Sequence, residues 1–189
     1  MWLLAPGELA YNYQDPDGKG RHYPAEFQEF QRNSYRVKDD VVKHDHDGVI
    51  ARYRELVHDQ DHAVAARAAH AWLGWDCLGS SVLSTVYTPG DDDRAIACAR
   101  IGLHLYTTGV GDLYSRGARV VGGAGVPVYL VTGRYDMLCP PAWAHNLARE
   151  VYRQVGGISR CVVVEGAAHS ELDPGMKEAM ISAITDMQL

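Results

Sequence analysis

The sequence predicts an α/β protein in which a mostly helical region precedes a short parallel βαβ unit. Two apolar, β-branched runs, 126–131 and 161–165, are short and continuous, as is typical of strands buried on both faces. A helical segment, 140–155, separates them, and the order strand, helix, strand predicts a parallel pair. Asp173-Pro174 then resembles the start of a last helix, in which Met176, Met180, Ile184 and Met187 form an apolar stripe.

The region before residue 112 is predicted to be almost wholly helical after an irregular beginning. Residues 1–23 are rich in Asp, Gly, Tyr and Pro, so we expect irregular loop there. Helical signals follow, including a first-turn proline, apolar residues at helical spacing and acidic residues at helix starts. The predicted helices are 24–32, 47–58, 61–76 and 91–108.

Composition excludes several classes of protein. The 189 residues are 47% hydrophobic and 22% charged, within the ordinary globular range. A net charge of −6 gives no basic surface for nucleic acid. We expect no membrane span, because no apolar run reaches about 18 residues. Four scattered cysteines (Cys77, Cys98, Cys139 and Cys161) lack C-x-x-C or zinc spacing, and indicate reduced thiols in a cytoplasmic protein.

Two polar residues directly follow the two predicted strands. Asp136 comes after the first strand and His169 after the second. Because functional groups collect beyond the carboxyl ends of parallel strands, we expect both side chains at one rim of the sheet. There a carboxylate can orient an imidazole and stabilise its protonated form. The alternatives are a capping aspartate and a loop histidine without a catalytic partner. The order Asp then His is typical of α/β-hydrolases, where a serine precedes both.

We find no serine in this sequence that matches the nucleophile motif of an α/β-hydrolase. An α/β-hydrolase serine lies in G-x-S-x-G between a strand and a helix. The stretch 79–83 (GSSVL) lacks the last glycine and follows a predicted helix, and 157–161 (GISRC) falls between Asp136 and His169. No H-G-G-G-type oxyanion segment is present either. A serine from outside this sequence is therefore required for hydrolase chemistry.

Several motifs together point to one family. The first is VPVYLVTGRYDMLCPP at 126–141, and the second is AHSELDPG at 168–175. Two more lie upstream, AWLGWD at 71–76 and ARIGLH at 99–104. On these motifs the chain resembles the proline iminopeptidases, which are serine aminopeptidases of the α/β-hydrolase fold. The resemblance implies a partial α/β-hydrolase fold, with a helical cap domain over 1–112 and the C-terminal part of the core over 113–189.

The resemblance also implies roles for matched residues. Asp136 and His169 would be the catalytic acid and base. Arg134 would contribute to substrate binding, and Cys139 would line the site and make the enzyme sensitive to thiol reagents.

Substrate selection is implied for the cap. In the family, two cap glutamates bind the free amino-terminal nitrogen of the peptide, as a pair of carboxylates can. The first position is Asp76 here, next to a substrate-binding Trp75, and the second is Gly102. Because Gly102 removes one charge, we expect a weaker preference for N-terminal proline.

The expected function is release of an N-terminal residue, preferably proline, from short peptides with a free N-terminus. No metal or cofactor is implied. We expect this chain to be a fragment that is inactive alone, with its open strand edge covered by the missing N-terminal half or by self-association. Two alternatives stay open: a non-catalytic binding or scaffolding remnant of the fold, and a related esterase or amidase.

Overall fold

A computed structural model describes residues 7–35, 48–83, 87–107, 113–125, 127–155 and 159–186. The chain divides into two compact units. Of the described residues, 7–35, 48–78 and 87–107 form the helical unit, and 79–83, 113–125, 127–155 and 159–186 form the sheet unit.

The four helices predicted for the helical unit are confirmed. They are α1 (Pro24–Asn33), α2 (Val49–Leu56), α3 (His62–Cys77) and α4 (Asp92–Thr107). Pro24 occupies the first turn of α1, where its missing N–H costs nothing. Asp61 caps α3 by accepting the backbone N–H of Ala63 at 2.9 Å.

The core of the helical unit is built largely from aromatic rings. Trp72 on α3 is buried at its centre and stacks on Tyr13, with ring centroids 4.6 Å apart. Phe30 of α1 stacks on Tyr53 of α2, with centroids 4.7 Å apart. Because such rings bury large apolar areas, they join α1, α2 and α3 into one packed core.

The prediction of irregular loop over 1–23 was wrong for much of the described part. A π-helical turn (Ala10–Gln14) and a 3-10 turn (Lys19–Arg21) are present. The physical reason is burial, since Tyr13 and Lys19 both point into the helical unit. Gly18 is required because a Cβ there would lie 2.3 Å from the carbonyl oxygen of Tyr11. Residues 1–6 lie outside the described residues.

The sheet unit contains the predicted parallel pair. Its elements in chain order are α5 (Leu113–Gly123), β1 (Val128–Gly133), α6 (Pro141–Val155), β2 (Ser159–Val164) and α7 (Met176–Asp186). Strands β1 and β2 pair in parallel, with a register from Val128↔Ser159 to Gly133↔Val164. Helix α5 was not predicted, because its three glycines weaken the helical signal, although Ala118 packs against Leu147 of α6.

Burial in the sheet unit differs from the prediction. The strands were expected to be buried on both faces, but Val128 to Val131 are half-buried, and in β1 only Thr132 and Gly133 are buried. On α7, Met176 is buried while Ile184 is 54% exposed. A sheet that has two strands in the described residues is too small to be covered on every side. The last member of the apolar stripe on α7, residue 187, lies outside the described residues.

Candidate active site

The site is built on the loops that follow β1 and β2. Backbone hydrogen bonds join these loops, from Arg134 N to the Val164 carbonyl and from Tyr135 N to the Ala167 carbonyl, each at 2.9 Å. Gly133 ends β1 where the second loop crosses it. A Cβ on Gly133 would lie 2.1 Å from the Ala168 carbonyl oxygen, so only glycine permits this approach.

Asp136 and His169 meet at this edge of the sheet. Nδ1 of His169 lies 3.0 Å from Oδ2 of Asp136. Since a carboxylate oxygen can only accept, Nδ1 carries the proton of this hydrogen bond. Asp136 is 5% exposed and the His169 side chain is 33% exposed. The pair therefore has a buried orienting carboxylate and an imidazole that reaches solvent.

The second oxygen of Asp136 is held by its own loop. Oδ1 accepts backbone N–H groups from Leu138 at 3.0 Å and from Cys139 at 2.7 Å. A buried carboxylate needs such donors to compensate for lost hydration. These bonds fix the plane of the carboxylate, and so the direction in which Oδ2 meets the imidazole.

Two other predicted site residues lie on the same loop. Cys139 is half-buried and is not part of a disulfide, and its backbone N–H donates to Asp136. Arg134 is exposed and its guanidinium contacts Glu165, with Nη2 to Oε1 at 2.5 Å and Nε to Oε1 at 3.0 Å. The hydrogen bond from Arg134 lowers the pKa of Glu165. The arginine therefore already has a carboxylate partner on the neighbouring loop.

The remaining predicted residues lie in the helical unit, near the end of α3. Asp76 is half-buried, and its Oδ1 accepts the hydroxyl of Tyr13. Trp75 is buried, and its indole N–H donates to the Asn12 carbonyl at 2.8 Å. Position 102 is also in this unit, and among the described residues a Cβ on Gly102 would meet only Nε1 of Trp72, at 3.8 Å.

Lys19 and Tyr13, which lie near Asp76, were not predicted as site residues. Lys19 is 1% exposed, and its Nζ donates to the Trp75 carbonyl at 2.6 Å and lies 4.6 Å from the centre of the Trp75 ring. Burial lowers the pKa of Lys19 to about 8, and the nearby charge of Asp76 opposes this. Neither residue belongs to a recognisable motif, so their proximity to Asp76 is known only from the tertiary structure.

The described residues contain neither a cluster of metal ligands nor a membrane-spanning helix. They contain no group of three or more His, Cys, Asp or Glu side chains that could hold a metal ion. Among the same residues, no helix is both long and apolar enough to cross a bilayer.

The chain is similar to curated proteins over nearly its whole length. It is 27% identical over 194 residues to the proline iminopeptidase of Neisseria gonorrhoeae, covering 99% of this chain and 56% of that protein. It is 28% identical to the proline iminopeptidase of Xylella fastidiosa strain Temecula1, covering 97% and 56%. The probable proline iminopeptidase of Leptolyngbya boryana is 27% identical, covering 97% and 54%. The resemblance to the proline iminopeptidases is confirmed.

The predicted fold class is confirmed as well. Proline iminopeptidases are α/β-hydrolases, and the parallel pair with its helices is compatible with part of that fold. The chain spans about half the length of the curated proline iminopeptidases that it matches. No family model matches the chain.

Proposed function

We propose that this chain supplies the acid, the base and the substrate-selecting cap of a proline iminopeptidase-like serine aminopeptidase. The enzyme releases an N-terminal residue, preferably proline, from short peptides. In this proposal the helical unit is the cap, and the sheet unit is the C-terminal part of the catalytic core. The single observation that carries it is the 3.0 Å contact between His169 Nδ1 and Asp136 Oδ2, in a chain similar to proline iminopeptidases throughout.

The geometry supports general acid–base catalysis by His169. With its proton on Nδ1, the imidazole has Nε2 as its basic nitrogen. Nε2 takes the proton from a serine hydroxyl as the serine oxygen bonds to the peptide carbonyl carbon. The imidazolium is stabilised by Asp136 and returns the proton to the leaving amine as the C–N bond breaks. A water molecule, activated in the same way, then hydrolyses the acyl-enzyme and releases the amino acid.

The serine in this proposal lies outside the sequence. Ser81, in the stretch nearest to a nucleophile motif, donates its hydroxyl to Asp173. We therefore propose that a further segment carries the G-x-S-x-G turn, and that this chain alone does not turn over substrate.

That segment would also cover the apolar surface of the sheet unit. Met180 and Ile181 on α7 are 43% and 54% exposed, and Leu172 before it is 77% exposed. Neighbouring exposed apolar side chains favour a partner surface. We propose the rest of the enzyme as that partner, with self-association of this chain as the alternative when the segment is absent. None of the four cysteines, which all lie in the described residues, forms a disulfide, and this supports a reducing, cytoplasmic location.

Asp76 is the proposed ligand for the amino terminus of the peptide. A half-buried carboxylate attracts an ammonium group more strongly than a fully hydrated one does. Tyr13 already donates to Oδ1 of Asp76, and Gly102 offers no second carboxylate. These two observations favour relaxed specificity, and make a related amidase or esterase the second candidate.

The decisive experiment compares two proteins on proline, alanine and leucine arylamides and on a simple ester. One is this chain alone, and the other is the chain extended by the coding sequence upstream of Met1. We expect turnover only by the extended protein, with proline preferred, and loss of turnover in His169→Ala. Turnover by this chain alone would contradict the external nucleophile. An extended protein that contains G-x-S-x-G and hydrolyses none of these substrates would contradict the enzymatic function.

A further inference from the structure

We propose that Asp173 is a positioning residue for His169, holding the histidine loop against the segment 79–83. The inference rests on the proposed function, in which His169 is the catalytic base. Asp173 lies four residues after His169, just before α7, and is 2% exposed. A carboxylate this deeply buried needs a specific set of donors.

The donors of Asp173 come from two separate segments of the sheet unit. Oδ2 accepts the backbone N–H of Ala168, the residue before His169, at 2.6 Å. Oδ1 accepts the hydroxyl of Ser81 and the backbone N–H of Val82, the latter at 3.2 Å. One side chain thus links the histidine loop to a segment that lies 92 residues earlier in the sequence.

Electrostatics favour the charged form of Asp173. Burial alone raises its pKa, but hydrogen bonds from Ser81 and from the backbone of Ala168 and Val82 outweigh burial, and the pKa lies below its ordinary value. An ionised carboxylate is the strongest acceptor available to these N–H and O–H groups. Removing it would leave the buried N–H of Ala168 without this acceptor.

The histidine loop is held from two sides. On one side, Tyr135 N donates to the Ala167 carbonyl at 2.9 Å, and the Ala168 carbonyl packs directly against Gly133. On the other side, Asp173 holds the Ala168 N–H. Residues 167 and 168 are both buried, so the imidazole at 169 starts from a fixed backbone. Without Asp173 the loop loses one of these two restraints, and the contact of His169 with Asp136 should loosen.

The same geometry assigns a structural role to Ser81. Its hydroxyl donates to Asp173, and its Oγ accepts the backbone N–H of Leu83 at 3.0 Å. Ser81 therefore shapes its own turn and anchors it to Asp173. A Ser81→Ala variant removes one donor and leaves the bonds of Asp173 to Ala168 and Val82.

The test uses the full chain with ¹⁵N-labelled histidine. NMR reports which imidazole nitrogen of His169 carries the proton and how fast that proton exchanges with water. In the wild type we expect the Nδ1–H form with slow exchange. In Asp173→Ala we expect Nδ1–H to become the minor form or its proton to exchange faster, with a smaller change in Ser81→Ala. The control is Asp186→Asn, which removes an exposed carboxylate paired with Arg160 at 2.7 Å and should leave His169 unchanged.

An unchanged His169 signal in folded Asp173→Ala overturns the inference. If that variant does not fold, Asp173→Asn replaces it, since its amide keeps one acceptor oxygen and loses the other. In the extended enzyme, Asp173→Asn should lower kcat by up to about 100-fold while KM changes little. The NMR result does not depend on turnover, so the inference survives if the extended wild-type enzyme is inactive. Conversely, suppose that the extended enzyme is active while substitution of Asp173 changes neither its kcat nor the NMR signal of His169. That result refutes this inference and leaves the proposed function intact.

Discussion

Nδ1 of His169 lies 3.0 Å from Oδ2 of Asp136, and the two residues come from the loops after two parallel, paired strands. His169 lies 33 positions after Asp136, and the chain between them contains α6 and β2 and returns to the same edge of the sheet. The backbone donors on Oδ1 of Asp136 leave Oδ2 to face the imidazole. The pair is thus oriented by elements that do not themselves take part in chemistry.

Asp136→Asn should reduce kcat of the extended enzyme strongly. The amide oxygen can still accept from Leu138 and Cys139, but the amide nitrogen is a donor and would face Nδ1–H. The imidazole would then hold its proton on the wrong nitrogen, an effect of about 10,000-fold in a serine protease triad. Steady-state kinetics with proline arylamide measure this loss. Unfolding in denaturant checks that the variant is folded, and near-wild-type kcat would contradict the role of Asp136.

Gly133→Ala should destabilise the sheet unit. Its Cβ would lie 2.1 Å from the Ala168 carbonyl and 2.4 Å from the Ala167 carbonyl, and backbone cannot move away as a flexible side chain can. Overpacking of this kind costs about 1–3 kcal/mol or more. The free energy of unfolding in urea measures it. The matched control is Gly123→Ala at the end of α5, where a Cβ has no neighbour within 4 Å among the residues that the structure describes. Equal stability of both variants would contradict the prediction.

Gly102→Glu should sharpen the preference for N-terminal proline. Within the described part of the chain a side chain at position 102 has space, since its Cβ would meet only Trp72 Nε1 there, at 3.8 Å. The new carboxylate restores the charge that the resemblance places there, and a charge-assisted hydrogen bond is worth about 1.5–3 kcal/mol, or about tenfold or more in affinity. The readout is the ratio of kcat/KM for proline and leucine arylamides in the extended enzyme. Ile101→Glu is the control, because it adds the same charge at an adjacent residue that is 62% exposed. An equal change in both variants would rule out a specific role for position 102.

Lys19 should make the stability of the helical unit depend on pH in the alkaline range. Its pKa is lowered to about 8 by burial, from an ordinary value of 10.5. Between these pH values the unfolded state binds more protons than the folded state, so stability rises with pH. A group of this kind contributes about 1.4 kcal/mol per pH unit at most. Below about pH 8 the lysine is charged in both states and contributes no slope.

The measurement is the difference in unfolding free energy between wild type and Lys19→Met at several pH values. From pH 8 to pH 9.5, the unfolding free energy of the wild type should increase by about 1.5 kcal/mol relative to that of Lys19→Met. Taking the difference cancels alkaline groups whose pKa does not depend on Lys19, such as Tyr13, whose pKa is raised mainly by burial. Lys177→Met, at an exposed lysine on α7, should show no such movement. A flat difference for Lys19→Met would show that Lys19 keeps an ordinary pKa.

The candidate pair was predictable from the sequence because its geometry follows from topology. Asp136 and His169 each come directly after a β-branched run, and the carboxyl ends of parallel strands share one edge. The approximate positions of α1 to α4 could also be predicted, because prolines, caps and apolar spacing are local signals in the sequence. By contrast α5 was missed, because its glycines hide a helix that packing against α6 supports.

The surroundings of each candidate residue were not predictable. Asp173 was identified only as the start of a helix, yet its carboxylate joins Ser81 to Ala168. Tyr13 was placed in an irregular segment, yet it donates to Asp76, 63 residues away. Long-range partners of this kind leave no periodic trace in a sequence.

The sequence by itself determined the order of strands and helices, the pair Asp136 and His169, and the family that the chain resembles, because these depend on local patterns and short motifs. Only the tertiary structure decided how buried each carboxylate is and which donors satisfy it. It also decided that Gly133 must be glycine. The physical reason is that desolvation and hydrogen bonding depend on atoms brought together from distant parts of the chain. For that reason Asp136, Asp76 and Asp173 look alike in the sequence, but they have different partners in the folded protein.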